Sequence, residues 1–296
     1  MNDQAPSMDI SWEETIRLAR SRPEFAQVLH DSYLGSDIFA EAERFAHSIE
    51  FAETLKLIRE FAPGAKSVLD IGAGTGISSY ALSRAGYEVT STDPDPSGIT
   101  GCGAIRGLQE EFRLEKFQVV QANGEELPFP DEKFDVVYIR QAMHHATDLN
   151  QFIKEAARVL KPGGFLFTIR DHVIFDEIDK QRFLSSHPFQ KYYGGENAFT
   201  EIEYLTAFNS AGLTVKRELK YFDSPINYFP MSAEDLKKLP EKFNLDLEKR
   251  SVEKFGAFGK VGFVKLLYRQ LVASRFGGPF DERRIEGRMY SFVLKK

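Results

Sequence analysis

Apolar positions along the chain follow two rhythms. From Ser11 to Phe61 there is no alternation. Phe45, Ile49, Phe51, Leu55, Leu57, Ile58 and Phe61 recur at helical spacing, which predicts a set of helices ended by Pro63-Gly64. From Ser67 onward, short apolar runs at 67–71, 87–92, 117–121, 134–139 and 165–169 predict five strands. Helical stretches from Gly76 to about Ala85, from Ser97 to Phe112 and from Phe152 to Leu160 separate most of them, and Lys161-Pro162-Gly163-Gly164 predicts the turn into the fifth. Strands alternating with helices specify a doubly wound α/β fold with a mostly parallel sheet.

Past Arg170-Asp171-His172 the pattern changes. Phe183 to Phe199 reads as a polar, aromatic loop, and Thr200 with Glu203 forms the capping box of a helix through Leu205 and Phe208. Leu213–Tyr221 alternates as a sixth strand. Phe222 to about Arg284 reads as a mostly helical insertion broken at Pro230 and Pro240, and 288–294 as a final strand. The expected division is an N-terminal helical lid (1–62), a core (63–222), a helical insertion serving as a cap (223–284) and a closing strand (285–296).

The run Ser67-Val68-Leu69-Asp70-Ile71 stops in Gly72-Ala73-Gly74-Thr75-Gly76, where a helix begins. Glycines at such a junction let a ligand approach the main chain, and free N–H groups at the helix start favour an anionic or polar group. Asp93 follows a little over twenty residues later, at the tip of the second strand. An acid there can accept from both hydroxyls of a ribose, so the pair favours a nucleoside-bearing ligand.

Composition narrows this picture. The net charge of −6 and pI near 5.7 argue against a general nucleic-acid binder. A local reversal between Ala233 and Arg275, ten Lys/Arg against six Asp/Glu, fits a solvated helical face better than a binding surface. No segment has the roughly twenty apolar residues needed to span a bilayer, and the start lacks a basic region followed by an apolar one. Cys102 is the only cysteine, which removes internal disulfides and thiolate metal cages and makes a cytoplasmic location the default expectation.

Five ordered motifs then carry a family resemblance: Val68–Gly76, the strand-end Asp93, Leu127-Pro128-Phe129 with Phe134-Asp135-Val136-Val137, His144-His145, and Arg158-Val159-Leu160-Lys161-Pro162-Gly163-Gly164. The stretch from about Ser67 to Arg170 resembles class I S-adenosylmethionine-dependent methyltransferases, in the small-molecule branch of ubiquinone and menaquinone biosynthesis. The resemblance implies a Rossmann-like, seven-stranded sheet with an antiparallel last strand, and S-adenosylmethionine as cofactor, leaving as S-adenosylhomocysteine. It places the methionine portion on Asp70, Gly72, Ala73, Gly74 and Gly76, and the ribose on Asp93, beside Pro94. The adenine edge falls to Asn123, Gly124 and Glu125, and the amine to main-chain groups at Arg140 and Gln141. Asn123 departs from the usual Asp of the family; its side-chain oxygen still accepts, without the charge.

Methyl transfer needs alignment first and a base only where the acceptor still holds its proton. Ligands of an open α/β sheet bind at the carboxyl ends of the strands, so His144, His145 and His172 are the candidate bases. Tyr33, Arg44, Asp171, His187, Tyr192 and Tyr193 are candidate contacts to a small-molecule acceptor, with O-methylation favoured over N- or C-methylation. No compact ligand motif points to a metal; Asp171, His172 and His187 are the one set considered for it. Two other readings share the fold. A nicotinamide-dependent oxidoreductase is disfavoured because Ile77 stands where a dinucleotide fingerprint wants Gly or Ala. A non-catalytic cofactor-binding protein is the other, motivated by Asn123 and the long insertion.

Overall fold

The computed structural model describes residues 10–262, 264, 266–268, 270–271 and 277–296. Helices α1 (Trp12–Arg20), α2 (Ala26–Asp31), α3 (Ile38–Ala46) and α4 (Ile49–Phe61) precede β1 (Ser67–Ile71). Then come α5 (Ile77–Arg84), β2 (Glu88–Asp93), α6 (Cys102–Glu111), β3 (Phe117–Gln121), β4 (Phe134–Arg140), α7 (Leu149–Val159) and β5 (Leu160–Ile174). The remainder is α8 (Glu177–Ser186), α9 (Gln190–Tyr193), β6 (Phe199–Thr200), α10 (Glu201–Ser210), β7 (Thr214–Leu219), α11 (Pro225–Tyr228), α12 (Ala233–Phe255) and β8 (Met289–Lys295).

The main path of the sheet runs β3-β2-β1-β4-β5-β8-β7, with the two-residue β6 pairing β5 off that path. Strands β1 to β5 are mutually parallel, and β8 lies antiparallel between β5 and β7. Seven strands with an antiparallel closing strand match the expectation, and β6 is an addition to it. Strand alternation divides the core. Leu69, Ile71, Val137 and Ile139 pack towards α7 and α10, while Val68, Val136 and Tyr138 pack towards α3 to α6. Chain order reverses between β1 and β4, and an open α/β sheet takes its ligand in the crevice outside that point.

Four expectations change. The fifth strand does not end at Ile169: β5 runs to Ile174, and the predicted turn at 161–164 is absorbed as a register shift against β4. The helix expected from Ser97 starts at Cys102. Asp95 folds the preceding turn on itself, its carboxylate accepting from Ser97 N, Ser97 Oγ and Thr100 Oγ1 at 2.7–2.8 Å. The loop expected over 183–199 contains the last turn of α8 and the whole of α9, and only 187–189 and 194–198 remain irregular. Pro240 does not break α12, which continues through it from a capping box at Ser232 and Asp235 and buries Phe243 and Leu247 beyond it. The capping box at Thr200 and Glu203 is present as expected.

The N-terminal helices and the α8–α9 segment meet over the carboxyl edge of the sheet. Ile16, Ala19, Phe25 and Leu29 share a small core with Phe189 and Tyr192, and Trp12 meets Phe189 and Tyr193 edge-on at ring distances of 5.5 and 5.3 Å. Among the described residues, no helix is long and apolar enough to cross a membrane.

Candidate functional site

Along the carboxyl ends of β1, β2 and β4 runs a cavity of about 390 Å³. It begins at Asp70–Thr75, passes Asp93–Asp95 and Asn123–Glu125, and ends among His144, His145, His172, His187 and Glu196 under Trp12, Phe189 and Tyr193.

At the first end the chain leaves β1 through left-handed glycines. Gly72 has φ 68° and its hydrogens face Ala142, whose Cβ would stand 2.6 Å from any Cβ at position 72. Gly76 (φ 85°) starts α5 and lies against α6, where a Cβ would come within 3.0 Å of Ile105. Gly76 is therefore a packing glycine beneath the loop, outside the cavity wall, whereas Gly72, Ala73 and Gly74 form that wall. Gly74 N donates to Asp93 Oδ2 at 2.8 Å and Asp95 N to Asp93 Oδ1 at 2.9 Å, so one carboxylate ties the glycine loop to the tip of β2. Each oxygen keeps lone-pair capacity for a ligand hydroxyl. Burial raises the Asp93 pKa to about 6 against the pull of those two N–H groups. Asp70 borders the cavity but accepts from Ser79 Oγ at 2.6 Å, anchoring α5; burial pushes its pKa up to about 7.

The end expected to meet the adenine is built differently from the expectation. Asn123 Oδ1 accepts from Glu125 N at 3.1 Å, which leaves its second lone pair and the amide N–H groups for a base edge. Glu125 turns away, its Oε1 accepting from Thr147 N (2.6 Å) and Asp148 N (3.2 Å) ahead of α7. Gly124 admits the ring of Phe152, which a Cβ would meet at 2.2 Å, and so supplies an apolar floor. Pro94 also borders the cavity. Arg140 reaches it too, yet its guanidinium pairs with the fully buried Glu50 of α4 through Nε at 2.6 Å and Nη2 at 3.2 Å. Gln141 beside it adopts φ 51°, a left-handed conformation unusual without glycine.

At the far end, Met143–His145 form a short 3-10 turn after β4 and face the last residues of β5. Asp171, fully buried, accepts from His144 N (3.0 Å) and Met143 N (3.3 Å), and its Oδ1 lies 2.8 Å from His144 Nδ1. His144 Nε2 lies 3.6 Å from Glu196 Oε2. Burial opposes a charge on His144, but these two carboxylates overcome it and raise its pKa to about 9, while Glu196 falls to about 2 despite its own burial. His145, open to the cavity with Nδ1 3.3 Å from Gly195 O, is held down to about 4, first by desolvation and then by the charge on His144. His172 (Nδ1 3.1 Å from Gly287 O) and His187 are lowered for the same first reason.

The structure thus brings together Asp70, Gly72–Gly74, Asp93, Asn123, Gly124 and the four histidines, but not every expected contact. Tyr33 is buried between Phe45, Phe229 and Arg44, whose guanidinium sits 4.0 Å from its ring centre, and neither Tyr33 nor Arg44 borders the cavity. Tyr192 faces Arg22, 3.0 Å from its hydroxyl. No described residue of 223–284 borders the cavity. In place of the expected cap, Ile226 and Phe229 accept at their carbonyls from the Arg170 guanidinium, and the far wall comes from α1 and the 187–196 segment. Glu196, Trp12 and Phe189 went unassigned in the sequence, where the Gly194-Gly195 pair ahead of Glu196 was the available signal.

Because ribose hydroxyls donate to a carboxylate, protonating Asp93 should remove its charge and turn one of its two acceptor oxygens into a donor. S-adenosylhomocysteine affinity is expected to be flat above pH 7 and to fall as pH drops through about 6, approaching tenfold per unit below it. Calorimetric titration at pH 5 and pH 8 checks this, and equal affinities would remove Asp93 from the ribose site.

A glycine loop, an acid on β2 and a crevice at the β1/β4 reversal define a nucleoside-cofactor enzyme fold of the doubly wound class. Comparison with known proteins specifies it further. Residues 69–168 match the methyltransferase domain family. The demethylmenaquinone methyltransferase of Tropheryma whipplei is 36% identical over 132 residues, 43% of this chain and 48% of that protein. The ubiquinone biosynthesis O-methyltransferase of Methylobacterium nodulans is 31% identical over 160 residues, 51% and 61% respectively. The chain thus spans about half the length of these relatives. In fold, geranyl diphosphate C-methyltransferase from Streptomyces coelicolor superposes with a TM-score of 0.56 at 15% identity, covering 99% of this chain and 90% of that one. Residues 69–168 thus match a methyltransferase domain, and the stretch is similar to class I S-adenosylmethionine-dependent methyltransferases such as those of ubiquinone and menaquinone biosynthesis. Its glycine loop, Asp93 and Asn123 offer a donor and acceptor set that fits that cofactor.

Proposed function

We propose that the protein methylates an oxygen of a small-molecule acceptor held between the histidine cluster and the aromatic wall of Trp12, Phe189 and Tyr193. The supporting observation is the single cavity that joins the glycine loop and Asp93 to those imidazoles. S-adenosylmethionine, when bound, supplies an electrophilic methyl group on a sulfonium and leaves as S-adenosylhomocysteine.

The chain's own part is alignment, exclusion of water and handling of one proton. Effective molarity from holding two reactants in line can account for much of such a rate. Trp12 of α1 and Tyr193 of α9 line the cavity on one side and reduce the water that reaches the sulfonium. His144 is a poor base, since Asp171 and Glu196 keep it protonated to about pH 9, and it serves to orient its neighbours. His145 and His172 are uncharged near neutrality and so can take a proton from an acceptor hydroxyl. That need favours oxygen, whose proton must be removed, and one of the two curated relatives is named an O-methyltransferase. A small acceptor, not a nucleic acid, suits the acidic chain.

His145→Ala is expected to lower turnover about a hundredfold, within the range of a general base, with S-adenosylhomocysteine affinity unchanged. Full activity would take His145 out of the reaction. Calorimetry with S-adenosylmethionine and NADH, followed by a methyl-transfer screen over phenolic, carboxylic and amine acceptors, tests the reading itself. NADH binding would favour the oxidoreductase, and cofactor binding without transfer to any acceptor would favour a non-catalytic role.

A further inference from the structure

We propose that His144, His145 and Glu196 hold a divalent transition-metal ion of the zinc type on the cavity wall, with one coordination position open to the methyl acceptor. One ligand atom from each residue lies within 4.8 Å of the others. His144 Nε2 and Glu196 Oε2, 3.6 Å apart, are too distant for a good hydrogen bond. They are near the ~3.3 Å that separates two ligands of a tetrahedral ion with bonds of about 2.0–2.1 Å.

The surroundings match a metal site more closely than an isolated ion pair. Asp171, fixed by two backbone N–H groups, stands 2.8 Å from His144 Nδ1, which settles the tautomer and turns Nε2 to the other side. A carboxylate behind a histidine is the usual second layer of such sites. Gly195 O stands in the same relation to His145 Nδ1. His187 Nδ1, buried without a hydrogen-bond partner, lies 3.7 Å from Glu196 Oε1, a further imidazole beside that carboxylate.

Charge points the same way. Asp171 and Glu196 are two buried carboxylates, which a dication would neutralise on displacing the Nε2 proton of His144. Two imidazoles and a carboxylate, with no thiolate, form a donor set that leaves the fourth position of zinc free. That position opens into the cavity, because all three ligands border it. An acceptor hydroxyl there would ionise more readily, its proton passing to His172, the base left free on the cavity wall once His145 is a ligand. Its oxygen pair then forms the new bond to the methyl carbon as the carbon–sulfur bond breaks and that electron pair stays on sulfur. This last consequence rests on the methyltransferase reading; the metal site itself does not.

The test uses the whole chain, stripped with a chelator and titrated with Zn2+ and with Co2+. The expected result is about one ion per chain, a tetrahedral Co2+ spectrum in the visible, and affinity weakened at least tenfold in His145→Ala and in Glu196→Gln. Asp171→Asn, which leaves every ligand in place, should weaken it roughly 10–100-fold. Circular dichroism and S-adenosylhomocysteine binding confirm folding of each variant, and the unaltered chain is decisive if one of them fails. The proposal is overturned if that chain binds no Zn2+, or if a folded His145→Ala/Glu196→Gln double variant binds it equally well. Stoichiometric metal without methyl transfer would sink the functional reading alone; transfer indifferent to the chelator, with no metal bound, would sink the metal site alone.

Discussion

Asp93→Ala is expected to weaken S-adenosylhomocysteine binding by about a hundredfold or more while leaving the fold in place. Two hydrogen bonds from ribose hydroxyls to a charged acceptor are worth about 1.5–3 kcal/mol each, and tenfold in affinity is 1.4 kcal/mol. A second effect adds to the first. Asp93 also accepts from Gly74 N and Asp95 N, so the alanine frees the glycine loop that would meet the methionine portion. Asp93→Asn separates the two contributions: it keeps one acceptor oxygen but loses the charge, and should fall between the alanine variant and the parent. Titration calorimetry measures both, with circular dichroism as the check on folding. Unchanged affinity in the alanine variant would refute the assignment of the ribose subsite.

Glu50→Gln should be the most destabilising single change among the charged residues discussed. Glu50 is fully buried between two guanidiniums, paired with Arg140 and 3.8 Å from Arg170 Nε. Arg170 gives two further bonds to the carbonyls of Ile226 (2.6 Å) and Phe229 (3.1 Å), and so cannot swing out to water without breaking them. Removing the one anion leaves two buried cations facing each other. Breaking a buried pair in this way costs about 3–5 kcal/mol, against a typical total stability of about 5–15 kcal/mol. Urea unfolding of the cofactor-free protein should show a loss of that size; a loss below about 1 kcal/mol would mean that water or a neighbour compensates the guanidiniums. Replacing all three residues by apolar ones should do less damage than replacing Glu50 alone, since no uncompensated charge remains.

Legibility differed between the two ends of the cavity. The cofactor end is local: a strand, three glycines and a strand-end acid lie within 27 residues, Ser67 to Asp93, and the spacing is imposed by the strand–helix–strand unit. Even there, Asn123 Oδ1 is already engaged by Glu125 N, and Glu125 points to α7, which depends on loop geometry that no spacing rule encodes. The acceptor end is assembled from residues about fifty positions apart, His144 with Glu196, and from an N-terminal helix that brings Trp12. Counting along β5 could not show which way His172 faces, because Arg170 (φ 58°) sits where the β5–β8 register shifts and the two-residue alternation resets. A long helical segment before the last strand suggests a cap, but its contacts at Ile226 and Phe229 are with Arg170.

By itself, then, the sequence determined the sheet of alternating strands and helices, the glycine loop after β1 and the acid at the tip of β2, because these follow from periodicity and short-range geometry. Only the tertiary structure decided that Gly76 packs on α6, that Arg140 neutralises a buried Glu50, and that Glu196 joins two histidines. Those outcomes depend on which distant side chains share a low-dielectric space, where pairing and charge are set by neighbours remote along the chain.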